Sequence, residues 1–418
     1  MCGYFKEDGV SVSIISVDTE TARHGKPWSI QSADVIDYDG AMYYCDQPDE
    51  VGVAKELMES PNTLTVVHNA KFDLDVIYQM GIWPTRTECT MQMAYLLGLP
   101  ALSLKVLAYR IAGIEMRSFE EVTAEATQAR AEAYLEQVMD MEWPDPDPTM
   151  KTDKDGNLKL SFPKNIKGKV DRLLMKSYTD PTIDLRKKWK AMDMAGGRGQ
   201  VEERLGYMQR AYLDEVDTQK AEEYAKLDAV ATLAIYPYLH AQIEEFGLQE
   251  TLERDMDCIP MVIAMENNGI LLDVSVLEEL KSDLDELTES TQADINYLAG
   301  HYVNPRSSQQ VVALLQDEGI YTDLETSTDA SVLDQYREHT IVNKIQDYRG
   351  YTKLQSTYVE GLMKAVRADG KIHTTFSMTR TETGRLASSN PNQQNIPVRT
   401  ELGRRIRQAF VSEREVDV

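Results

Sequence analysis

An apolar run that passes straight into two acids, one residue apart, restricts this chain more than any other feature of its sequence. Ile14-Ile15-Ser16-Val17 reads as a buried β-strand, and the two-residue period of a strand puts Asp18 and Glu20 on one face. A second segment, His68-Asn69-Ala70-Lys71-Phe72-Asp73, adds a third carboxylate. In a third, Tyr224 and Asp228 lie four apart within a helical stretch, Ala221 to Leu239, so both project from one helix face. Hard divalent cations favour carboxylate oxygens and retained waters. Two of them about 4 Å apart can clamp the attacking and leaving oxygens of a phosphodiester. A lone Asp-x-Glu at a strand end is common, and Asp73 also suits a helix cap. The three segments together, in this order, are far more specific.

Residues from about 10 to 115 alternate strand and helix signals, as in an α/β sheet with helices packed on it. The strand candidates are Val12–Val17, Ala33–Tyr38, Ala41–Cys45 and Thr63–Val67. Helices are expected at Val51–Glu59, Asp73–Met80, Thr90–Leu97 and Leu104–Ile111. From Ala241 onward the reading is helical. Apolar residues at Val276, Leu277, Leu280, Leu284, Leu287, Ile295 and Leu298 make a helical stripe over Val276–Leu298, and Thr340–Val366 is the expected partner. Between them, Val303–Thr328 reads as a small tip, with Ser307 also suited to cap a helix.

The three acidic segments resemble, in order, the Exo I, Exo II and Exo III motifs of the DEDDy 3′→5′ exonucleases, specifically the proofreading domain of family A DNA polymerases. Asp18 and Glu20 match the first pair, Asp73 the third carboxylate, and Tyr224 with Asp228 the last pair; Asn69 and Phe72 fill the flanking positions of the second motif. The resemblance continues through Cys89–Leu97 and Leu102–Ala108, then Met265–Asp273 and Val303–Gln310, which look like the start and base of a polymerase thumb. Thr383-Gly384-Arg385-Leu386-Ala387-Ser388-Ser389-Asn390-Pro391-Asn392-Gln393-Gln394-Asn395-Ile396-Pro397-Val398-Arg399 resembles the segment that grips primer-template near the polymerase site.

The fold class implied is α/β: a ribonuclease H-like exonuclease domain, with a mixed sheet and flanking helices, followed by a mainly helical polymerase thumb and the start of the palm. The implied domains are 1–240, exonuclease; 241–360, thumb; and 361–418, start of the palm with its primer-template-binding segment. The resemblance implies two divalent metal ions, Mg²⁺ or Mn²⁺, held by Asp18, Glu20, Asp73 and Asp228, with Tyr224 orienting the attacking water. Asn69 and Phe72 would seat the frayed terminal nucleotide, Phe72 from the core side. Asn304, Arg306, Ser307, Arg385, Asn392, Gln394 and Arg399 would contact DNA. The expected partners are a single-stranded DNA 3′ end and a primer-template duplex. His24 and His68 lie near the motifs, but Tyr224 fills the position that a histidine takes in the sister DEDDh class, so both are read as non-catalytic.

Asp73 and Asp228 are 155 positions apart, roughly twice the separation in the bacterial enzymes, so an insertion is expected over about 120–204. In it Glu120–Met141 is helical and acidic, Trp143–Pro148 breaks the helix, and Lys154-Asp155-Gly156-Asn157 is a turn of the Asp-Gly type. An extra DNA clamp, a docking site for a processivity or replisome partner, and a lineage-specific decoration all suit this segment. Net charge is −25, which at first sight opposes a DNA partner. The charge is uneven. Gly361–Phe410 holds nine Lys+Arg against three Asp+Glu and Lys151–Lys190 twelve against five, so the rest of the chain carries about −38.

With 42% hydrophobic and 27% charged residues and no long apolar run or secretory signal, the chain is expected to be soluble, away from membranes and cytoplasmic, in the bacterial host cytosol if phage-encoded. Cys2, Cys45, Cys89 and Cys258 form no Cys-x-x-Cys pair, so neither a zinc site nor a disulfide framework is indicated. The resemblance implies palm carboxylates on chain beyond Val418. Three readings stay open: half of a split, phage-like polymerase whose palm and fingers sit on a second polypeptide; a truncated longer polymerase; and a stand-alone exonuclease that keeps a thumb-derived DNA-binding module. The split reading expects exposed apolar surface around Ile396, Ile406 and Phe410.

Overall fold

Why Asp18 and Glu20 end up at one place is decided by the strand that carries them. In the computed structural model, which describes residues 4–7, 10–21, 27–34, 41–127, 129, 149–152, 158–161, 211–321 and 326–412, that strand is Val10–Thr21. Its apolar residues Ile14, Ile15 and Val17 are all buried, which fixes it in the interior of a sheet. The chain divides into two compact units, residues 1–259 and 260–418.

The first unit is a six-stranded mixed sheet flanked by helices. Its strands are β1 (Tyr4–Glu7), β2 (Val10–Thr21), β3 (Pro27–Asp34), β4 (Ala41–Tyr44), β5 (Thr63–Val67) and β6 (Thr87–Cys89). They run in the order β4-β3-β2-β5-β6, with β1 also pairing β2. The β1–β2, β2–β3 and β3–β4 pairs are antiparallel, whereas β2–β5 and β5–β6 are parallel. Helices α1 (Pro48–Glu59), α2 (Ala70–Gln79), α3 (Thr90–Leu96), α4 (Leu104–Leu107, continued by π-helical turns over Ala108–Ala112) and α5 (Phe119–Val122) follow. After the segment 130–210 comes α6 (Thr218–Glu245), started by Asp217, whose side chain accepts from the Lys220 N–H at 3.2 Å. Ala221, Ala225 and Ala229 recur every four residues on α6 and are fully buried, so the helix lies close on β2 and β3. Ser16 of β2 donates to the Ala229 carbonyl at 2.6 Å.

The α/β class expected from the sequence is the one observed. Several bounds differ. The strand expected at Ala33–Tyr38 overlaps β3, Pro27–Asp34, at Ala33 and Asp34, and its remainder lies outside the described residues; β3 begins earlier than expected because its buried Ser29, Gln31 and Ser32 conceal a core strand behind polar letters. Strands β1 and β6 were not expected; β6 has three residues, too few to show a period. Helix α2 begins at Ala70, three residues before the expected start, because Asn69 accepts at its carbonyl from the Phe72 and Asp73 N–H groups. Of the 120–204 segment, strands β7 (Thr149–Thr152) and β8 (Leu158–Ser161) pair antiparallel on either side of the expected Asp-Gly turn. The turn itself, residues 162–190 of the basic Lys151–Lys190 stretch and the run Ala195-Gly196-Gly197-Arg198-Gly199, whose glycines read as a loop, lie outside the described residues, as does His24.

The division between the units falls within α7 (Gln249–Asn268). The second unit goes on with β9 (Ile270–Leu271), α8 (Val274–Ala299), α9 (Ser308–Asp317), the short α10 (Ala330–Leu333), α11 (Thr340–Lys353), a π-helical stretch Leu354–Val359, and α12 (Glu360–Ala365). Strands β10 (Lys371–Ile372), β11 (Thr375–Ser377) and β12 (Ala387–Ser389), then α13 (Glu401–Gln408), complete it. Two apolar clusters hold it together. Ile295 near the end of α8 packs with Val311, Leu315, Val342 and Ile345; Leu277, Leu280 and Leu284 near its start pack with Leu362, Ile372 and Ile406. The second cluster corrects the expectation of exposed apolar surface near the end of the chain. Ile406 is fully buried, Ile396 is 8% exposed, and Phe410 packs against the same cluster. Gly403 makes this possible, since a Cβ there would sit 2.6 Å from the Pro397 carbonyl oxygen as α13 closes on its own approach loop.

Candidate metal centre

Carboxylates reach one point in the first unit from three elements. Asp18 and Glu20 end β2, and Asp228 comes from α6; their ligand oxygens lie within 4.8 Å of one another. Asp73, in the first turn of α2, is the fourth acid and is 2% exposed. Its Oδ1 accepts from both the N–H and the Oγ1 of Thr19, at 3.2 and 2.9 Å. Strand β5 pairs with β2 only as far as Ser16, so beyond that point Asp73 takes the place of the missing ladder partner. Thr19, the residue between the two acids, was not marked from the sequence, although its position in Asp-Thr-Glu was the available signal.

Burial and mutual repulsion dominate the electrostatics. Asp18 is held well above the usual carboxylate range by burial, then by Asp73, Asp228 and Glu20. Burial, with Asp228 and Asp73, raises Glu20 to about 8. Asp73 and Asp228 are each raised to about 7, chiefly by burial; Thr19 opposes the shift at Asp73, and a hydrogen bond from the Tyr224 phenol opposes it at Asp228. Four such acids at one point require positive charge to ionise together at neutral pH. The cluster is consistent with divalent metal binding, and an all-oxygen donor set suits a hard cation.

The flanking residues fall out differently. Tyr224 and Asp228 share one face of α6, and the Tyr224 ring meets Phe119 edge-on at 6.3 Å between centroids. Asn69 is exposed at the start of α2 and makes no side-chain cap bond. Phe72 does not face the core: it is 44% exposed, one residue from Asp73. His68 is buried, with Nδ1 against Thr90 Oγ1 and Nε2 against the Leu102 carbonyl, both at 2.8 Å, and burial lowers its pKa to about 4. Both ring nitrogens are occupied in holding the loop between β5 and α2.

In the second unit, Ser307 caps α9 by accepting from the Gln310 N–H at 3.3 Å, and Asn304 accepts from the Arg306 N–H at 3.0 Å. Arg306, Ser308, Arg349, Lys353 and Ser356 line one polar recess. Arg349 and Lys353 were not singled out from the sequence, although their four-residue spacing on α11 was legible. Arg349 is held by the carbonyls of Pro305 and Thr328 at 2.7 and 2.5 Å. Arg385 and Arg399 are exposed. Gln394 and Asn392 are engaged within their own loop. The Gln394 amide accepts from the Ser388 N–H at 3.0 Å and donates to the Leu386 carbonyl at 2.7 Å, and Asn392 Oδ1 accepts from Ser388 Oγ at 3.0 Å.

The first unit is thus a mixed sheet carrying four clustered acids, one of them, Asp73, buried and the other three half-buried. Residues 4–138 match the 3′-5′ exonuclease family, and residues 274–418 match DNA polymerase family A. Two curated relatives carry the same description. DNA polymerase I of Treponema pallidum is 40% identical over 197 residues, covering 46% of this chain and 20% of its own. The thermostable DNA polymerase I of Thermus aquaticus is 40% identical over 205 residues, covering 47% and 24%. The matches thus span only about a fifth to a quarter of these relatives' length. Among solved structures, the POL domain of Pol1 from M. smegmatis, in complex with DNA primer-template and dNTP, superposes over 96% of this chain and 55% of its own. Its TM-score is 0.64 at 22% identity, a likeness of fold. One stretch of the chain thus carries the 3′-5′ exonuclease match and a separate, later stretch the DNA polymerase family A match.

Proposed function

We propose that this chain hydrolyses DNA from its 3′ end with the aid of two divalent cations, Mg²⁺ or Mn²⁺, as the proofreading portion of a replicative polymerase. The observation that carries the reading is the approach of Asp18, Glu20 and Asp228 to within 4.8 Å, with Asp73 anchored beside them. Asp18, Glu20, Asp73 and Asp228 would hold the cations, which when bound would neutralise charge on the reacting phosphate and lower the pKa of a bound water. Thr19 fixes Asp73. The Tyr224 phenol, hydrogen-bonded to Asp228, would orient the attacking water. Asn69 and exposed Phe72, at the start of the helix that bears Asp73, would seat the terminal nucleotide, with the Phe72 ring available for stacking on a base.

In the second unit, Asn304, Arg306 and Ser307 would meet the DNA backbone together with Arg349 and Lys353, while Arg385 and Arg399 would grip a primer-template. Asn392 and Gln394 would shape the loop between those two arginines.

The test is digestion of a 5′-labelled single strand with Mg²⁺ or Mn²⁺, with and without chelator. The parent should shorten it from the 3′ end, and the chelator should stop it. Asp18→Ala with Glu20→Ala should lower the rate by at least about 100-fold, since both ligands supplied by β2 are gone. Undiminished digestion by that folded double variant would overturn the assignment.

A further inference from the structure

Gln31 is fully buried on β3, yet its side-chain oxygen Oε1 has no hydrogen-bond partner among the described residues. Buried amides rarely remain so, because the group has given up water for nothing. Its position is informative. Along the antiparallel β2–β3 ladder Asp18 is paired with Gln31, and Glu20 with Ser29. Directly opposed residues project from the same sheet face with Cβ atoms about 4.5–5.5 Å apart. The two acids that end β2 therefore stand beside an amide and a hydroxyl, and Ser29, like Gln31, is fully buried.

The amide and the hydroxyl are joined. Gln31 Nε2 donates to Ser29 Oγ at 2.6 Å, which uses the serine oxygen as an acceptor and leaves its proton for another group. The same sheet face is closed by α6, because Ser16, two residues before Asp18, donates to the carbonyl of Ala229, the neighbour of Asp228. A polar pair with one spare acceptor and one spare donor is thus enclosed next to the acids.

We propose that Gln31 and Ser29 form a hydrogen-bonding layer beside Asp18 and Glu20. In it Gln31 Oε1 accepts from a water of a cation held by those acids, and Ser29 directs its proton towards their carboxylates. Both act through the acids and are positioning residues. The inference rests on the reading of Asp18, Glu20 and Asp228 as metal ligands. Groups that orient ligands from behind typically contribute about 10–100-fold to metal affinity. A glutamine that only filled space would contribute to stability and leave that affinity unchanged.

The measurement is Mn²⁺ binding to the full chain, followed by the electron paramagnetic resonance of free Mn²⁺, alongside the melting temperature without metal. Gln31→Leu should weaken binding about 10–100-fold while the metal-free protein melts no lower than the parent. Ser29→Ala should weaken it in the same direction, and Ser29→Thr, which keeps the hydroxyl, should restore it. If folded Gln31→Leu and Ser29→Ala both bind Mn²⁺ within about twofold of the parent, the layer has no such role. Should Gln31→Leu fail to fold, Ser29→Ala decides by the same criterion. A parent that binds no Mn²⁺ overturns the metal reading, and this inference with it.

Discussion

Tyr224 and the acids beside it set the chemistry of single groups. On the proposed reading the Tyr224 phenol, hydrogen-bonded to Asp228, orients water while Asp228 ligates. Tyr224→Phe should slow 3′ digestion by about 100-fold, in the range lost with a positioned proton-handling group, with Mn²⁺ affinity nearly unchanged. A parallel loss of Mn²⁺ binding, as large as that of Asp228→Ala, would make Tyr224 a ligand instead. The acids also predict a pH dependence. Glu20 is raised to about 8, and Asp73 and Asp228 to about 7, above their values in the unfolded chain, so the metal-free fold binds protons more tightly than the unfolded state. That stabilisation is complete below the unfolded carboxylate range and is lost as pH rises through about 7 to 8. Without metal, the melting temperature should therefore fall between pH 5.5 and 8, and less so in Glu20→Gln. Added Mn²⁺ should raise it most at pH 8, where protons no longer compete. A metal-induced rise larger at pH 5.5 would contradict the sign.

Between elements, the decisive junction is where β5 ends and α2 begins. Thr19 lies on β2 beyond the last β5 partner, and its N–H and hydroxyl are both taken by Asp73 of α2. Helix and strand are thereby locked at the point where the acids must meet. Thr19→Val keeps the β-branched shape and the N–H contact but removes the hydroxyl. The expected cost is about 1 kcal/mol, read by urea unfolding, together with slower digestion because Asp73 is less firmly placed. Unchanged stability and rate would show that the N–H alone positions Asp73. Ser16 makes the corresponding link from β2 to α6.

Charge is a property of the whole molecule. The chain carries −25, but Gly361–Phe410 holds nine Lys+Arg against three Asp+Glu. Arg385 and Arg399 are exposed there, and α13 adds Arg404, Arg405 and Arg407 around a buried Ile406. On the proposed reading this basic segment meets DNA, and binding should then depend steeply on salt. With about four phosphates neutralised, affinity for a primer-template duplex should drop roughly tenfold for each doubling of KCl, measured by fluorescence anisotropy. A flat response would show that phosphate contacts do not carry the binding.

By itself the sequence determined the acids, the tyrosine four residues before Asp228, the helical stripe of α8 and the α/β class, because each is a local pattern of spacing and polarity. The beginning of β3 was missed because Ser29, Gln31 and Ser32 are buried polar residues, and local hydropathy cannot tell a buried serine from an exposed one. Whether Ile406 and Ile396 were covered depended on α8, α12 and α13 meeting, which no short segment encodes. Only the tertiary structure decided that Phe72 faces outward, that Thr19 holds Asp73 and that Gln31 stands opposite Asp18. These facts come from register and from contacts between residues far apart in the chain, and such contacts exist only once the sheet and its helices have closed on one another.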